Sequence, residues 1–239
     1  MKQILPNIWY FTGLLAGRVY CLRDADGLTL IDASIPPAPK KILQQLKDAG
    51  HAPSAVKRIL ITHGHPDHVG GLPELQRLTG AEVWASALET PVIQGEQAIR
   101  LPPKADLRGL AKLVPMPPDQ KNKPTRVTRT LSHGEILPEA LGGLHVLHTP
   151  GHAPGHLSFW HPGHRVLFCG DVLFNAPKLM LPPTFLTYDM DENKRSILRL
   201  AALDPEIVCF GHGNPLKKDT AHTIRTFAQK MYTAPKAVS

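Results

Sequence analysis

Cysteine is scarce in this chain. Cys21, Cys169 and Cys209 are its only three, scattered and odd in number. No Cys-x-x-Cys pair exists, and a disulfide framework cannot be built from such a set. Each lies beside apolar residues, so buried free thiols in a reducing compartment are expected. Long hydrophobic runs are also missing. Met1 to Asn7 carry one charged side chain and no sustained apolar core, which argues against a secretory leader, and no later stretch reads as a membrane span. The expectation is a cytoplasmic protein with no membrane partner. Internal repeats of solenoid length and low-complexity tracts are absent.

What is present is an ordinary folded composition, 42% hydrophobic and 20% charged over 239 residues. That length suffices for a substantial buried core, and we expect a single domain over 1–239. Acidic residues are in the minority, and the net charge is +7. The excess is local. Residues 97–130 hold Arg100, Lys104, Arg108, Lys112, Lys121, Lys123, Arg126 and Arg129 against Asp106 and Asp119, a surplus of six. Pro102, Pro103, Pro115, Pro117, Pro118 and Pro124 crowd the same stretch. We therefore expect an irregular, basic, proline-rich insert or lid at about 90–130. Such a segment is either a solvated surface excursion or a lid that attracts anionic substrates.

Around it the apolar pattern alternates between strand and helix. Ile8–Phe11, Val19–Leu22 and Leu28–Ile31 read as strands, with Asp24-Ala25-Asp26-Gly27 as a hairpin turn. Ala38–Ala49 reads as an amphipathic helix before Gly50, Val56–Ile61 as a strand, Leu72–Leu78 as a helix, and Ala81–Ala85 as a strand. Such β-α-β units imply a sheet with helices on its face. The second half reads as strands at 144–147, 157–160, 166–169 and 206–210. It also has helices at 191–203, capped by Asp191, and at 220–231.

The densest chemistry is in Thr62-His63-Gly64-His65-Pro66-Asp67-His68-Val69-Gly70-Gly71, directly after the apolar run Ile59-Leu60-Ile61. Imidazole and carboxylate suit zinc, iron and manganese. In extended chain His63 and His65 point to one side, whereas adjacent Asp67 and His68 diverge toward a second point. Two metal ions are therefore expected rather than one, which suggests a hydrolase. Three more strand ends carry His or Asp beside glycine: His148-Thr149-Pro150-Gly151-His152, Gly170-Asp171 and Gly211-His212-Gly213. Four strand ends meeting on one rim would assemble the cluster.

In this order, His63-x-His65-x-Asp67-His68, Thr149-Pro150-Gly151-His152, Gly170-Asp171 and Gly211-His212 resemble the motifs of the metallo-β-lactamase superfamily. Leu30-Ile31-Asp32-Ala33-Ser34 resembles its first motif. The likeness runs from about residue 8 to 215. It implies an α/β protein, a four-layer αβ/βα sandwich of two mixed β-sheets flanked by helices, with metals at one edge. It further implies one metal on His63, His65 and His152, a second on Asp67, His68 and His212, and Asp171 bridging both. A hydroxide shared by the ions would be the nucleophile, and Asp67 would take part in proton transfer. The resemblance also implies that Asp32 orients the ligand loop by hydrogen bonds.

His156 is expected to make a structural hydrogen bond. Tyr188 is expected as a packing or rim residue, although lactonases of this fold use a Tyr near this position to contact substrate. His51, His133, His145, His148, His161, His164 and His222 are expected on the surface or on strands.

Departures within the family narrow the activity. The bridging Asp171 argues against a true β-lactamase. His65, where oxygen-reducing diiron relatives carry Glu, argues for hydrolysis. Gly170-Asp171-Val172-Leu173-Phe174 resembles the glyoxalase II pattern, although only 27 residues follow His212, fewer than that family's glutathione-binding helices would need. The reading is a two-metal hydrolase, with zinc first and iron or manganese as alternatives, acting on an ester, lactone or thioester in a small, anionic molecule. A phosphodiesterase and a mononuclear-iron persulfide dioxygenase are the enzymatic alternatives. A nucleic-acid-binding protein is the non-enzymatic one, disfavoured because no basic or aromatic binding module is appended. Oligomeric state is left open.

Overall fold

Apolar residues alternate along two sets of strands, and both faces of each set are covered. The chain is described here by a computed structural model over residues 1–107, 109–114 and 120–233. The first sheet holds seven strands in sequential order: β1 (Lys2–Leu5), β2 (Ile8–Tyr10), β3 (Tyr20–Arg23), β4 (Leu28–Ile31), β5 (Val56–Leu60), β6 (Glu82–Ser86) and β7 (Arg129–Leu131). Its first four strands are antiparallel and the rest pair in parallel. Parallel pairing needs crossovers. They are made by α1 (Ala38–Asp48), then α2 (Pro66–Val69) with α3 (Leu72–Thr79), then α4 (Thr90–Ile93).

Further along lie β8 (Ile136–Leu137), β9 (Leu144–His148), β10 (Leu157–His161), β11 (Val166–Gly170), β12 (Phe174–Asn175), β13 (Leu179–Met180) and β14 (Ile207–Phe210). The second sheet has the order β14-β11-β10-β9-β8, and β12 and β13 form a separate small hairpin. α5 (Met190–Ala201) connects β13 to β14, which lies parallel to β11, and α6 (Thr220–Thr233) follows β14.

Strand periodicity decides the layers. Ile31, Leu60 and Trp84 of the first sheet meet Val146, Phe159, Phe168 and Cys209 of the second in a core between the sheets. Leu30, Ile59 and Val83 point the other way and pack against Ile42 and Leu46 of α1 and Leu72 and Leu75 of α3. Leu167, Cys169 and Val208 pack against Ile197 and Leu200 of α5 and Ile224 of α6. The result is a helix–sheet–sheet–helix sandwich, the four-layer architecture expected. All three cysteines are buried free thiols. Among the described residues no helix is long and apolar enough to cross a membrane.

Two local readings change. The helix expected at 191–203 runs from Met190 to Ala201, and its cap is Asp189 rather than Asp191. Asp189 is extended (φ −139°, ψ 101°) and its carboxylate accepts the Glu192 N–H at 2.9 Å, which leaves Asp191 inside the first turn. Strands β1, β7 and β8 were not anticipated: β1 is mostly exposed, β7 follows the prolines, and β8 has two residues.

Between α4 and β7 the described chain forms only two short 3-10 turns, Lys104–Asp106 and Gly109–Leu113. Arg108, Pro115, Pro117, Pro118 and Asp119 lie outside the described residues. The excursion closes at its neck, where the Ile99 N–H donates to the Gln120 carbonyl at 2.9 Å. Two of its contacts with the rest of the fold lie near the histidine loops. Asn122 Nδ2 donates to the Gly64 carbonyl at 2.8 Å, and Gly109–Leu113 meets the 3-10 turn Thr184–Leu186.

Candidate metal centre

Four strand ends deliver the candidate residues to one rim. In the second sheet β9, β11 and β14 run in one direction, so the loops after them emerge together and carry His152, Asp171 and His212. Across the sandwich, β5 ends in Thr62-His63-Gly64-His65. Pro66 then fixes the local path. It biases His65 toward extended backbone (φ −74°, ψ 149°) and occupies the first position of α2, whose opening turn presents Asp67 and His68.

Seven side chains converge there. Their donor atoms form three overlapping groups, each lying within 4.8 Å: His63, His65 and His152; His63, His68 and Asp171; and Asp67, His68 and His212. Asp171 is in the middle. Its Oδ2 lies 3.4 Å from His152 Nε2 and 3.3 Å from His212 Nε2, and its Oδ1 lies 3.3 Å from His68 Nε2. On one side His152 Nε2 is 3.0 Å from His65 Nδ1; on the other His212 Nε2 is 3.0 Å from Asp67 Oδ2. Asp171 packs so closely on the β14 loop that a Cβ at Gly211 would lie 1.9 Å from its Oδ1. The Asp67 and His212 side chains are 30% and 24% exposed, whereas the other five are buried, so the centre opens to solvent on that side.

The ring orientations are set from behind. Asp32 accepts the Thr62 N–H at 2.9 Å and the Thr62 hydroxyl at 2.9 and 3.0 Å. With its proton so engaged, Thr62 Oγ1 accepts from His63 Nδ1 at 3.0 Å, which leaves Nε2 of His63 as the lone pair. His68 Nδ1 donates directly to Asp32 Oδ2 at 2.8 Å. Thr187 Oγ1 donates to the Pro183 carbonyl and so accepts from His152 Nδ1 at 3.3 Å. In all three rings Nε2 is the atom turned inward. His63 Nε2, His65 Nε2, His68 Nε2 and Asp171 Oδ1 are buried without a hydrogen bond. Buried polar atoms are normally satisfied, and a set of unsatisfied nitrogen and oxygen donors facing one space fits a divalent cation.

Electrostatics agree with that fit. Burial, reinforced by neighbouring imidazoles, holds His63 well below its ordinary value, and burial holds His65 and His152 down at about 3, so these three rings are neutral. Burial also opposes charge on His68 and His212. The carboxylates outweigh it, chiefly Asp171, raising His68 well above its usual range and His212 to about 9. In turn, despite burial, the charge on His68 and contacts with His212 lower Asp67 to about 2 and hold Asp171 well below the carboxylate range. The two carboxylates thus demand positive charge between them.

Two of the remaining candidates stand apart. His156 enters none of the three groups; its Nε2 accepts the Asp171 N–H at 3.0 Å. Its Nδ1 therefore donates to Thr149 Oγ1 at 2.9 Å, and Thr149 continues to Ser158 at 2.8 Å. Tyr188 is 44% exposed, and its backbone N–H donates to the His152 carbonyl at 3.1 Å. The seven other histidines are all half-buried or exposed. Sequence reasoning did not single out Thr62, Thr149 or Thr187. The first two adjoin the histidine loops and could have been noticed; Thr187 is 35 positions from the ring it touches.

Comparison with known proteins gives the class. The metallo-beta-lactamase superfamily model matches residues 12–212. A probable metallo-hydrolase of Bacillus subtilis, YflN, is 32% identical over 213 residues, covering 81% of this chain and 78% of its own length. The hydroxyacylglutathione hydrolase GloC of Haemophilus influenzae is 35% identical over 121 residues, 51% of each chain. Among solved structures, a metallo-beta-lactamase family protein from Thermus thermophilus superposes with a TM-score of 0.74 at 24% identity, covering 96% of this chain and 79% of that one. The chain belongs to the metallo-beta-lactamase superfamily, and its likeness to metallo-hydrolases and hydroxyacylglutathione hydrolases supports a hydrolase.

Proposed function

We propose that the chain is a cytoplasmic two-zinc hydrolase that cleaves the acyl bond of an ester, lactone or thioester in a small anionic molecule. The observation that carries the reading is that, of the three overlapping donor groups, His63, His65 and His152 share no residue with Asp67, His68 and His212, and the third group joins them through Asp171. His63, His65 and His152 would hold one ion, Asp67, His68 and His212 the other, and Asp171 would be shared. Neutral imidazoles with ionised carboxylates suit zinc best, and iron and manganese accept the same donors. Bound zinc supplies an activated water and polarises the substrate carbonyl. Asp67, ionised and open to solvent, would take the proton of the water as its oxygen bonds to the acyl carbon and would pass it to the leaving group as the acyl bond breaks. Tyr188, beside His152 on the exposed rim, contacts the substrate.

The acyl choice draws support from the hydroxyacylglutathione hydrolases among the relatives. The anionic choice draws on the basic excursion, which docks on Gly64 and on the turn before Thr187 and Tyr188. That same charge favours phosphodiester cleavage as the second reading. Turnover of a lactone panel, acyl thioesters and bis-nitrophenyl phosphate separates the two. We expect acyl substrates to turn over, with KM for the anionic ones rising as salt is added. Activity on the phosphate alone would overturn the first reading. Unchanged mobility of RNA and DNA in low-salt gels is expected; a shift would favour a nucleic-acid-binding protein.

A further inference from the structure

Glu89 lies between β6 and α4, belongs to none of the donor groups, and is 3% exposed. Its two carboxylate oxygens accept backbone donors from opposite halves of the sandwich. Oε2 takes the Gly64 N–H at 2.9 Å, and Oε1 takes the Gly155 N–H at 2.8 Å. Gly64 separates His63 from His65, and Gly155 lies between His152 and His156. The Gly64 carbonyl is held from the other side by Asn122, so the two peptide groups flanking the Gly64 Cα are both gripped. Among the described residues no lysine or arginine forms an ion pair with Glu89. A buried carboxylate held by amides, with Arg100 and His148 acting on it only from a distance, is expensive to place, and an apolar residue would fill the same space at less cost.

The packing is built around this contact. A Cβ at Gly155 would lie 2.4 Å from Ser86 Oγ and 2.9 Å from Glu89 Cγ, and one at Gly64 would lie 2.8 Å from Val92 Cγ1 and 3.0 Å from Glu89 Oε2. Both loops therefore approach the Glu89 turn more closely than any side chain would permit. The other donor group is anchored elsewhere. Asp32 holds His68, and Arg18 ties down the His212 loop by donating to the Gly213 carbonyl at 2.8 Å and to Asn214 Oδ1 at 3.0 Å.

We propose that Glu89 is a positioning residue for the three-histidine group, setting the spacing between the His63–His65 pair and His152 by clamping both loops to one carboxylate. The proposal rests on the metal-binding reading above. Its consequence is asymmetric: loss of the clamp loosens the His63, His65 and His152 group and leaves the Asp67, His68 and His212 group in place.

The test is metal affinity. Stripped wild type, Glu89→Gln and Gly155→Ala are titrated with zinc against a chromogenic chelator, with circular dichroism and melting curves recorded alongside. Glu89→Gln keeps the volume but turns an amide NH2 toward one of the two N–H groups. Gly155→Ala forces the loop off an intact carboxylate. We expect wild type to take up two ions, and each variant to bind one of the two about 10–100-fold more weakly while holding the other as before. Wild-type affinity for both ions in the folded variants would overturn the proposal. Equal weakening of both ions in step with lost thermal stability would overturn it too, because that is what a general packing role produces. If Glu89→Gln does not fold, the outcome for Gly155→Ala decides. Failure of wild type itself to bind metal would overturn the site reading, a result distinct from any failure of the clamp.

Discussion

Asp171 carries the most weight of any single residue, because one carboxylate faces His68, His152 and His212 at 3.3 to 3.4 Å. Replacing it with alanine should leave three imidazoles, two of them buried, without their common partner. We expect Asp171→Ala to lower metal-dependent hydrolysis by at least about 100-fold, beyond the range for residues that only orient ligands. His222→Ala, on the exposed face of α6, should change nothing measurable. Full activity in Asp171→Ala would contradict the shared-ligand reading. His212 gives a pH test. In protein stripped of metal its pKa is raised from 6.5 to about 9 by Asp171 and Asp67 against the opposing effect of burial. A basic group raised in this way stabilises the fold below its unfolded pKa and loses that contribution as pH rises through the folded one. Stripped protein should therefore melt lower above about pH 9 than near 6.5. Added zinc should bind more weakly on the acid side, where protons compete for the same nitrogens. A stripped-protein melting temperature flat over that interval would contradict the ion pair.

Among the elements, α5 matters to the centre because its N-terminus abuts the His152 loop. Asp189 both caps the helix and donates its backbone N–H to the Gly151 carbonyl at 2.9 Å. Asp189→Ala should lower stability by about 1 kcal/mol, read as a shifted denaturation midpoint, since the Glu192 N–H loses its partner. The legible and illegible parts of the chain divide at this scale. Strands β4, β5, β9, β10 and β11 could be read because alternate residues face two different cores, and helices α1 and α3 because Gly50 and Gly80 end them. The two-residue strands could not, since two residues carry no period. Asp191 reads as the cap because it is acidic and precedes the apolar face; only the backbone shows that Asp189 is the extended residue. The histidine loop was legible for its residue types, and α2 within it was hidden by its proline. The supports were mostly illegible, because Glu89 and Asn122 reach that loop, and Thr187 reaches His152, across 25 or more positions.

Across the whole molecule, two sheets must be held in register for their loops to meet on one rim. Far along β5 from the centre, Arg58 is buried between the sheets. Its Nη1 lies 2.9 Å from Asp24 Oδ2 and donates to the Glu139 carbonyl at 2.8 Å, and the guanidinium also pairs with Asp26. It thus joins the β3–β4 turn to the loop after β8. Removing one partner of a buried pair strands the other, so Arg58→Ala should cost about 3–5 kcal/mol in denaturant unfolding. Metal content in the fraction that stays folded should be unchanged. The basic excursion belongs to the same scale, since it joins the His63–His65 loop to the turn before Thr187 and Tyr188. A two-metal centre requires the rim to hold two ions. Elemental analysis of protein purified without chelators measures this directly. We expect close to two metal atoms per chain, zinc foremost. One iron atom per chain would contradict the two-metal centre and favour the dioxygenase alternative.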